Sequence, residues 1–186
     1  MTTDSIATAY HAVVSKGRVP DSTTVAVVGP GGLGLNGVAI AALRGAKVFE
    51  RRHQHGQVRA GEGTGCRGLC HRPDAFQWQS FDVVLDLTGA QPTVEAAVAT
   101  VRAGGYLVLV GLAAREVRIT TTSLVKQNVS LRGLTSTRVQ KLREWLNMLA
   151  WGSLKPYSQE IPFEDIPKAL ELLGQGKVSG RLYTVP

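Results

Sequence analysis

Apolar residues along the chain fall into short unbroken runs, separated by stretches with helical spacing. Val25, Ala26, Val27 and Val28 form one such run, with the length and β-branched content of a strand buried on both faces. It breaks into glycines. Leu33 to Leu43 then reads as a mostly apolar helix that Arg44-Gly45 closes, and Lys47-Val48-Phe49 begins a second strand. Phe81 to Asp86 predicts a strand ending at Thr88-Gly89. Gln91 to Arg102 has helical spacing, with Pro92 tolerated in the first turn. Gly104-Gly105 ends that helix, and Tyr106 to Val110 is another buried strand running into Gly111-Leu112. Ser123 to Lys126 reads as a short helical turn and Val129 to Gly133 as a strand. Arg138 to Ala150 reads as an amphipathic helix carrying Leu142, Trp145, Leu146 and Leu149. Phe163 to Leu173 is a last helix and Arg181 to Val185 a last strand. Strands alternating with helices predict an α/β fold whose parallel sheet is covered on both faces, with right-handed crossovers.

One stretch breaks the pattern. Residues 50–79 have neither periodicity, yet they hold three of the four histidines, both cysteines and one of the three tryptophans. A structureless connection of this length inside a compact domain counts against its own assignment, and the stretch is expected to be disordered or non-native. Composition narrows the picture further. The 186 residues suit one domain with a sizeable core, and 44% apolar content describes a globular protein. No apolar run is long enough for a membrane span, and the first residues lack the basic and apolar regions of a signal peptide. Two cysteines make no disulfide framework, so a reducing, cytoplasmic setting is expected. The net charge of +7 raises the question of nucleic acid. No basic helix face or aromatic ladder accompanies it, so it reads as solvated surface, with no nucleic-acid or membrane partner.

The glycines that break the first apolar run are spaced Gly29-x-Gly31-x-x-Gly34. In a strand–turn–helix this is a dinucleotide-binding pattern with a physical basis. The first glycine permits the tight turn, the second lets backbone approach a pyrophosphate, and the third lets the helix pack close to the sheet. Phosphates then sit on the free N–H groups and positive end of the helix. The same spacing can serve as a glycine-rich turn in another α/β protein. The dinucleotide reading makes the fold a Rossmann-type doubly wound parallel sheet, a single NAD(P)-binding domain over residues 1–186, with 50–79 as an irregular, insert-like stretch.

Several phrases in order then resemble the coenzyme-binding domain of the medium-chain dehydrogenase/reductase superfamily, the zinc-type alcohol dehydrogenase and quinone reductase family. They are TAYHAV (8–13), VAVVGPGGLGLNGVAIA (25–41), DVVLDLTG (82–89), RAGGYLVLVGL (102–112) and GKVSGRLYTVP (176–186). The resemblance implies that Gly29, Gly31, Gly32, Leu33 and Gly34 line a pyrophosphate. Thr8, Thr88, Gly89, Gly111 and Leu112 would face a nicotinamide, and Arg181 would be a phosphate-side contact. Each also has a plainer reading: Thr8 as a helix threonine, Arg181 as a solvated strand-end arginine, Gly111-Leu112 as a strand end with a turn glycine. The cofactor implied is NAD or NADP, and the parent reaction is hydride transfer between nicotinamide and an alcohol or carbonyl carbon, with zinc polarising the oxygen.

The family's catalytic, GroES-like domain lies mainly before the point matching Met1, and this chain holds no counterpart of the family's zinc-ligating Cys and Gly-His-Glu residues. A truncated, cofactor-binding half is therefore expected, with no catalytic residue and no metal ligand; His11 reads as structural. The alternative is a catalytically inactive nucleotide-binding or dimerising module. A homodimer is plausible by resemblance, through residues near 107–110 and 117–132. The family also places an acidic residue at the end of the second strand, where this chain has Arg51-Arg52. Read literally, that pair favours the 2′-phosphate of NADP. However, codons for residues 51–70 can be chosen so that reading one base later gives VDINTAKSELARELGAEAYA. That string has a strand-terminal Asp, a helical run and a Gly cap, so the stretch reads as out of frame. Cys66, Cys70 and His71, with His53 and His55, then stand together by accident, and Cys-x3-Cys-His matches no standard zinc site.

Overall fold

The architecture follows from where the apolar runs are placed. The computed structural model describes residues 2–29, 31–51, 68–70, 80–136 and 141–185. Six strands form one sheet: β1 (Thr24–Val28), β2 (Lys47–Arg51), β3 (Gly68–Cys70), β4 (Phe81–Asp86), β5 (Val101–Leu109) and β6 (Ser130–Gly133). Their order is β3-β2-β1-β4-β5-β6, and every neighbouring pair is parallel. This is the doubly wound, Rossmann-like arrangement that the alternation predicts.

Successive residues of a strand point to opposite faces, and the core divides accordingly. Val25 and Val27 of β1 join one cluster with Val48, Val83, Leu85 and Val108. Ala26 and Val28 join the other, with Val84, Ala97, Val98 and Leu107. The first face is covered by an N-terminal helix and by α2 (Gly34–Leu43) and α5 (Leu142–Ala150), whose Trp145 is fully buried. The N-terminal helix is α1 (Ala7–Tyr10), flanked by wider turns at Thr2–Ile6 and His11–Lys16. On the second face sit α3 (Gln91–Thr100) and α4 (Thr121–Gln127).

Boundaries differ from expectation where glycine was read as a stop. The predicted helix over Gln91 to Arg102 ends at Thr100, and β5 already begins at Val101. Phe81 pairs with Val101 but Val83 pairs with Tyr106, so residues 102–105 stand opposite Asp82 alone and bulge the ladder, with Gly104 exposed and at positive φ. The last strand is shorter than predicted, β8 (Arg181–Tyr183), and it does not join the main sheet. It pairs in parallel with β7 (Ser158–Glu160), a polar triplet that no apolar run signals. Before it, Phe163–Asp165 leads into α6 (Ile166–Gly174). The predicted start of the amphipathic helix at Arg138 lies outside the described residues, as do Arg52, His53, His55, Cys66 and His71 and most of the stretch read as out of frame. Within that stretch Gly68–Cys70 pairs with Phe49–Arg51.

Candidate functional site: a glycine turn beneath an arginine

In the order β3-β2-β1-β4-β5-β6 the chain turns one way from β1 and the other way from β4. The loops leaving these two strands therefore diverge and open a crevice at their carboxyl ends, where open α/β sheets bind ligands. Three predicted segments meet there: the glycine turn after β1, Thr88-Gly89 after β4 and Gly111 after β5.

Gly29 has φ +82, a conformation that side chains rarely adopt, and a Cβ on it would overlap the Thr88 hydroxyl. The chain then enters α2. Leu35 N donates to Gly31 O at 3.0 Å and Gly37 N to Leu33 O at 3.2 Å, so the ladder of α2 reaches back into the turn. The first N–H groups of a helix precede that ladder and point outward along its axis. A Cβ on Gly34 would stand 2.5 Å from Gly29 O, whereas one on Gly31 would meet nothing within 4 Å among the described residues. One side of the turn is packed and the other is open.

The open side lies beside Arg181. A Cβ on Gly32 would come within 2.6 Å of Gly180 O and 2.7 Å of Arg181 Cδ, so the arginine stem runs directly across the turn. Backbone fixes its root, with Arg181 N donating to Tyr157 O at 2.9 Å. The guanidinium donates through Nη2 to Asp4 Oδ2 at 2.9 Å. Residues near the two ends of the chain are thus joined beside the turn, Arg181 against Gly32 and Asp4 against Arg181.

The second wall is organised by a carboxylate. Asp86 ends β4 and is fully buried. Its Oδ1 accepts from Thr88 N and Gly89 N, both at 2.9 Å, and its Oδ2 accepts from the Thr93 hydroxyl at 2.8 Å. Asp86 O also accepts from Val110 N and Gly111 N. One residue therefore pins the loops after β4 and β5 together, so tightly that a Cβ on Gly89 would overlap Gly111.

The remaining predicted positions are placed less directly. Thr8 is buried in α1, on the helix that packs against α2. Leu33 packs into the core of the first face, which leaves only its backbone for the turn. Leu112 is 92% exposed. His11 donates from Nδ1 to Ser136 O at 2.5 Å, a structural tie. Among the described residues no group of three or more His, Cys, Asp or Glu could hold a metal ion, and no helix is long and apolar enough to cross a membrane.

Asp4, Asn36 and Asp86 were not anticipated. Asn36 carries a visible signal, a lone amide in an otherwise apolar helix. Asp86 carries another, a charge closing an apolar strand. Asp4 carries none, because its partner is 177 residues away.

The zinc-binding dehydrogenase family model matches residues 70–182. The chain belongs to that family. Its fold is that of the NAD(P)-binding domain of the medium-chain dehydrogenase/reductase superfamily. It is 26% identical over 182 residues to an alcohol dehydrogenase of Geobacillus stearothermophilus, covering 94% of this chain and 53% of that protein. An alcohol dehydrogenase structure from Aeropyrum pernix superposes with a TM-score of 0.87 at 26% identity, over 100% of this chain and 56% of that one. The acetophenone reductase of Geotrichum candidum, solved with NAD, gives a TM-score of 0.90 at 24% identity, over 100% and 54%. The chain spans about half the length of these relatives.

Proposed function

We propose that the chain is the NAD(P)-binding half of a zinc-type alcohol dehydrogenase-like oxidoreductase, a single dinucleotide-binding domain over residues 1–186. The observation that carries the reading is the glycine turn opening α2 at the divergence of β1 and β4, with Arg181 across it. The residues fit the cofactor. Space beside Gly31 and the outward N–H groups of the first turn of α2 are what a pyrophosphate requires, and the guanidinium of Arg181, whose stem crosses Gly32, would turn from Asp4 to meet it.

In this reading Gly29, Gly31, Gly32, Leu33 and Gly34 supply the cradle through their backbone, and Arg181 supplies the counter-charge. Thr88, Gly89, Gly111 and Leu112 form the wall toward the nicotinamide, with Thr8 on the helix behind. Bound NAD or NADP would supply hydride acceptance at the nicotinamide ring. The chain's own part is to hold and orient it, because a hydride donor must be fixed within contact distance before transfer. Among the described residues there is no donor set for zinc, so no polarising step is assigned to them. We further propose a cytoplasmic setting and a homodimer formed through residues near 107–110 and 117–132, a segment that runs into β6, one of the two edge strands of the sheet.

The test is a fluorescence titration with NADH and NADPH, followed by an alcohol oxidation assay. Binding without turnover is expected, since the chain spans about half of its relatives. That outcome also suits the second reading, a nucleotide-binding module without catalysis, which turnover by this chain alone would exclude. Absence of binding to either cofactor would defeat both. The same titration on a chain whose residues 51–70 are replaced by the string read one base later is expected to give tighter binding, because that string restores an acidic residue to the second strand's end. Sequencing the locus checks the shift itself.

A further inference from the structure

The helix that carries the cradle contains one residue at odds with its surroundings. Asn36 is 1% exposed, between Leu35 and Val38 that are fully buried. Its Nδ2 donates to Gly32 O at 2.9 Å. Its Oδ1 is buried and has no hydrogen-bond partner among the described residues. An amide half-satisfied in a core is costly for folding, and an apolar residue of similar size would avoid the cost. Stability of the fold therefore does not account for this asparagine.

Its position offers another account. The carbonyls on either side of Gly32 accept main-chain N–H groups, Gly31 O from Leu35 and Leu33 O from Gly37. Gly32 O, between them, takes the Asn36 side chain. The opposite side of Gly32 is closed by Gly180 O and the stem of Arg181. The Gly32 unit is thus held between two side chains, one from inside the helix and one from the start of β8. Its setting bears on the direction of the next N–H groups and on the path of the Arg181 stem, whose guanidinium is held by Asp4.

We propose that Asn36 is a positioning residue for pyrophosphate binding, clamping Gly32 so that the turn's N–H groups and Arg181 face one anion. The inference rests on the dinucleotide reading above. Asn36 touches no ligand itself; it acts through Gly32. The bond needs a donor at this point of the helix, and a serine hydroxyl can make the same reach to the carbonyl four residues back. Leucine fills the space without a donor.

Asn36→Leu and Asn36→Ser are compared with the unaltered chain by NADH titration, by competition with inorganic pyrophosphate, and by thermal melting. Asn36→Leu is expected to bind NADH about ten-fold more weakly, as when the worth of the lost Asn36–Gly32 hydrogen bond is passed on to the anion through the turn. Its melting temperature should be equal or higher, because the orphaned amide oxygen is gone. Pyrophosphate should lose affinity in parallel, since the clamp acts on the phosphate end of the cofactor. Asn36→Ser should bind within about three-fold of the unaltered chain, as a restored donor predicts. Unchanged NADH affinity in Asn36→Leu would overturn the inference while leaving the dinucleotide reading intact. So would a loss of binding that only follows a loss of melting temperature in both variants. If the unaltered chain binds neither NADH nor pyrophosphate, the dinucleotide reading falls, and the role of Asn36 falls with it.

Discussion

Strand β4 carries an aspartate near each end, Asp82 and Asp86, and the two do different work. Asp86 is at the carboxyl end, fully buried, and among the described residues its carboxylate meets uncharged donors, two backbone N–H groups and a hydroxyl. Asp82 is at the amino end, with 29% of its side chain exposed, and it meets Arg102 at 2.5 Å together with the N–H and hydroxyl of Thr24. Charge pairing suffices where water is near. Where the backbone itself must be shaped, the carboxylate is spent on N–H groups, as at a helix cap. The amino end braces the sheet, and the carboxyl end builds a wall of the crevice.

The sharpest way to break this contrast is to remove the buried carboxylate. Asp86→Ala strands two N–H groups and leaves a hole at the junction of the loops after β4 and β5. A loss of about 3–5 kcal/mol in urea unfolding is expected, in the range for buried charged groups stripped of their network. Asp86→Asn should cost far less, about 1 kcal/mol. Its Oδ1 can still accept both N–H groups, and its Nδ2 can donate to Thr93 Oγ1. The Thr93 hydroxyl then has another acceptor, Ala90 O at 2.8 Å. Equal losses for the two variants would show that the negative charge, rather than the geometry of acceptance, holds the wall.

Thr93→Val tests the next link. The hydroxyl of Thr93 accepts from Ala90 N at 3.1 Å and donates toward Asp86, so it joins the start of α3 to the strand end. Valine keeps the shape and removes both bonds. A loss of about 1–2 kcal/mol is expected, as for other helix-start side chains. Circular dichroism should show α3 fraying in step with it. A loss under about 0.3 kcal/mol would mean that α3 is held by its apolar face alone.

How much of this was legible in the sequence depends on range. The run Val25–Val28, the glycine spacing and the apolar helix after it are local patterns, and each appears where it was expected to within a residue. Gly104-Gly105 was misread because glycine interrupts a ladder as readily as it ends a helix. Periodicity counts residues along the chain and carries no record of which strand lies alongside. The triplet Ser158–Glu160 became a strand only because Arg181–Tyr183 lies beside it, and three polar residues have no pattern of their own. At the candidate site, the glycine turn after β1 was legible as a turn, while Asp4 reaches Arg181 by tertiary approach alone. Asn36 and Asp86 were visible as polar exceptions, but their partners are backbone groups that no residue type reveals.

The amino end gives the smallest effect and the one that depends on pH. Although burial works against it, the Thr24 hydrogen bonds and the Arg102 guanidinium hold the Asp82 carboxyl below its usual range. A carboxyl whose folded value is depressed adds stability at pH above its unfolded value, near 3.8. That stability is lost as pH falls through the lower, folded value. Asp82→Asn should therefore destabilise the chain at pH 7 by about 0.5–1 kcal/mol, the ordinary worth of a partly exposed pair. The difference from the unaltered chain should shrink toward zero as urea titrations move from pH 5 to pH 2. Half-molar salt at pH 7 should weaken the Arg102 part and leave the Thr24 bonds. Asp86→Asn, at a site whose contacts are buried and made to uncharged groups, should be indifferent to salt over the same range. If salt moved both variants alike, the two ends of β4 would be one kind of site, and the division between brace and wall would fail.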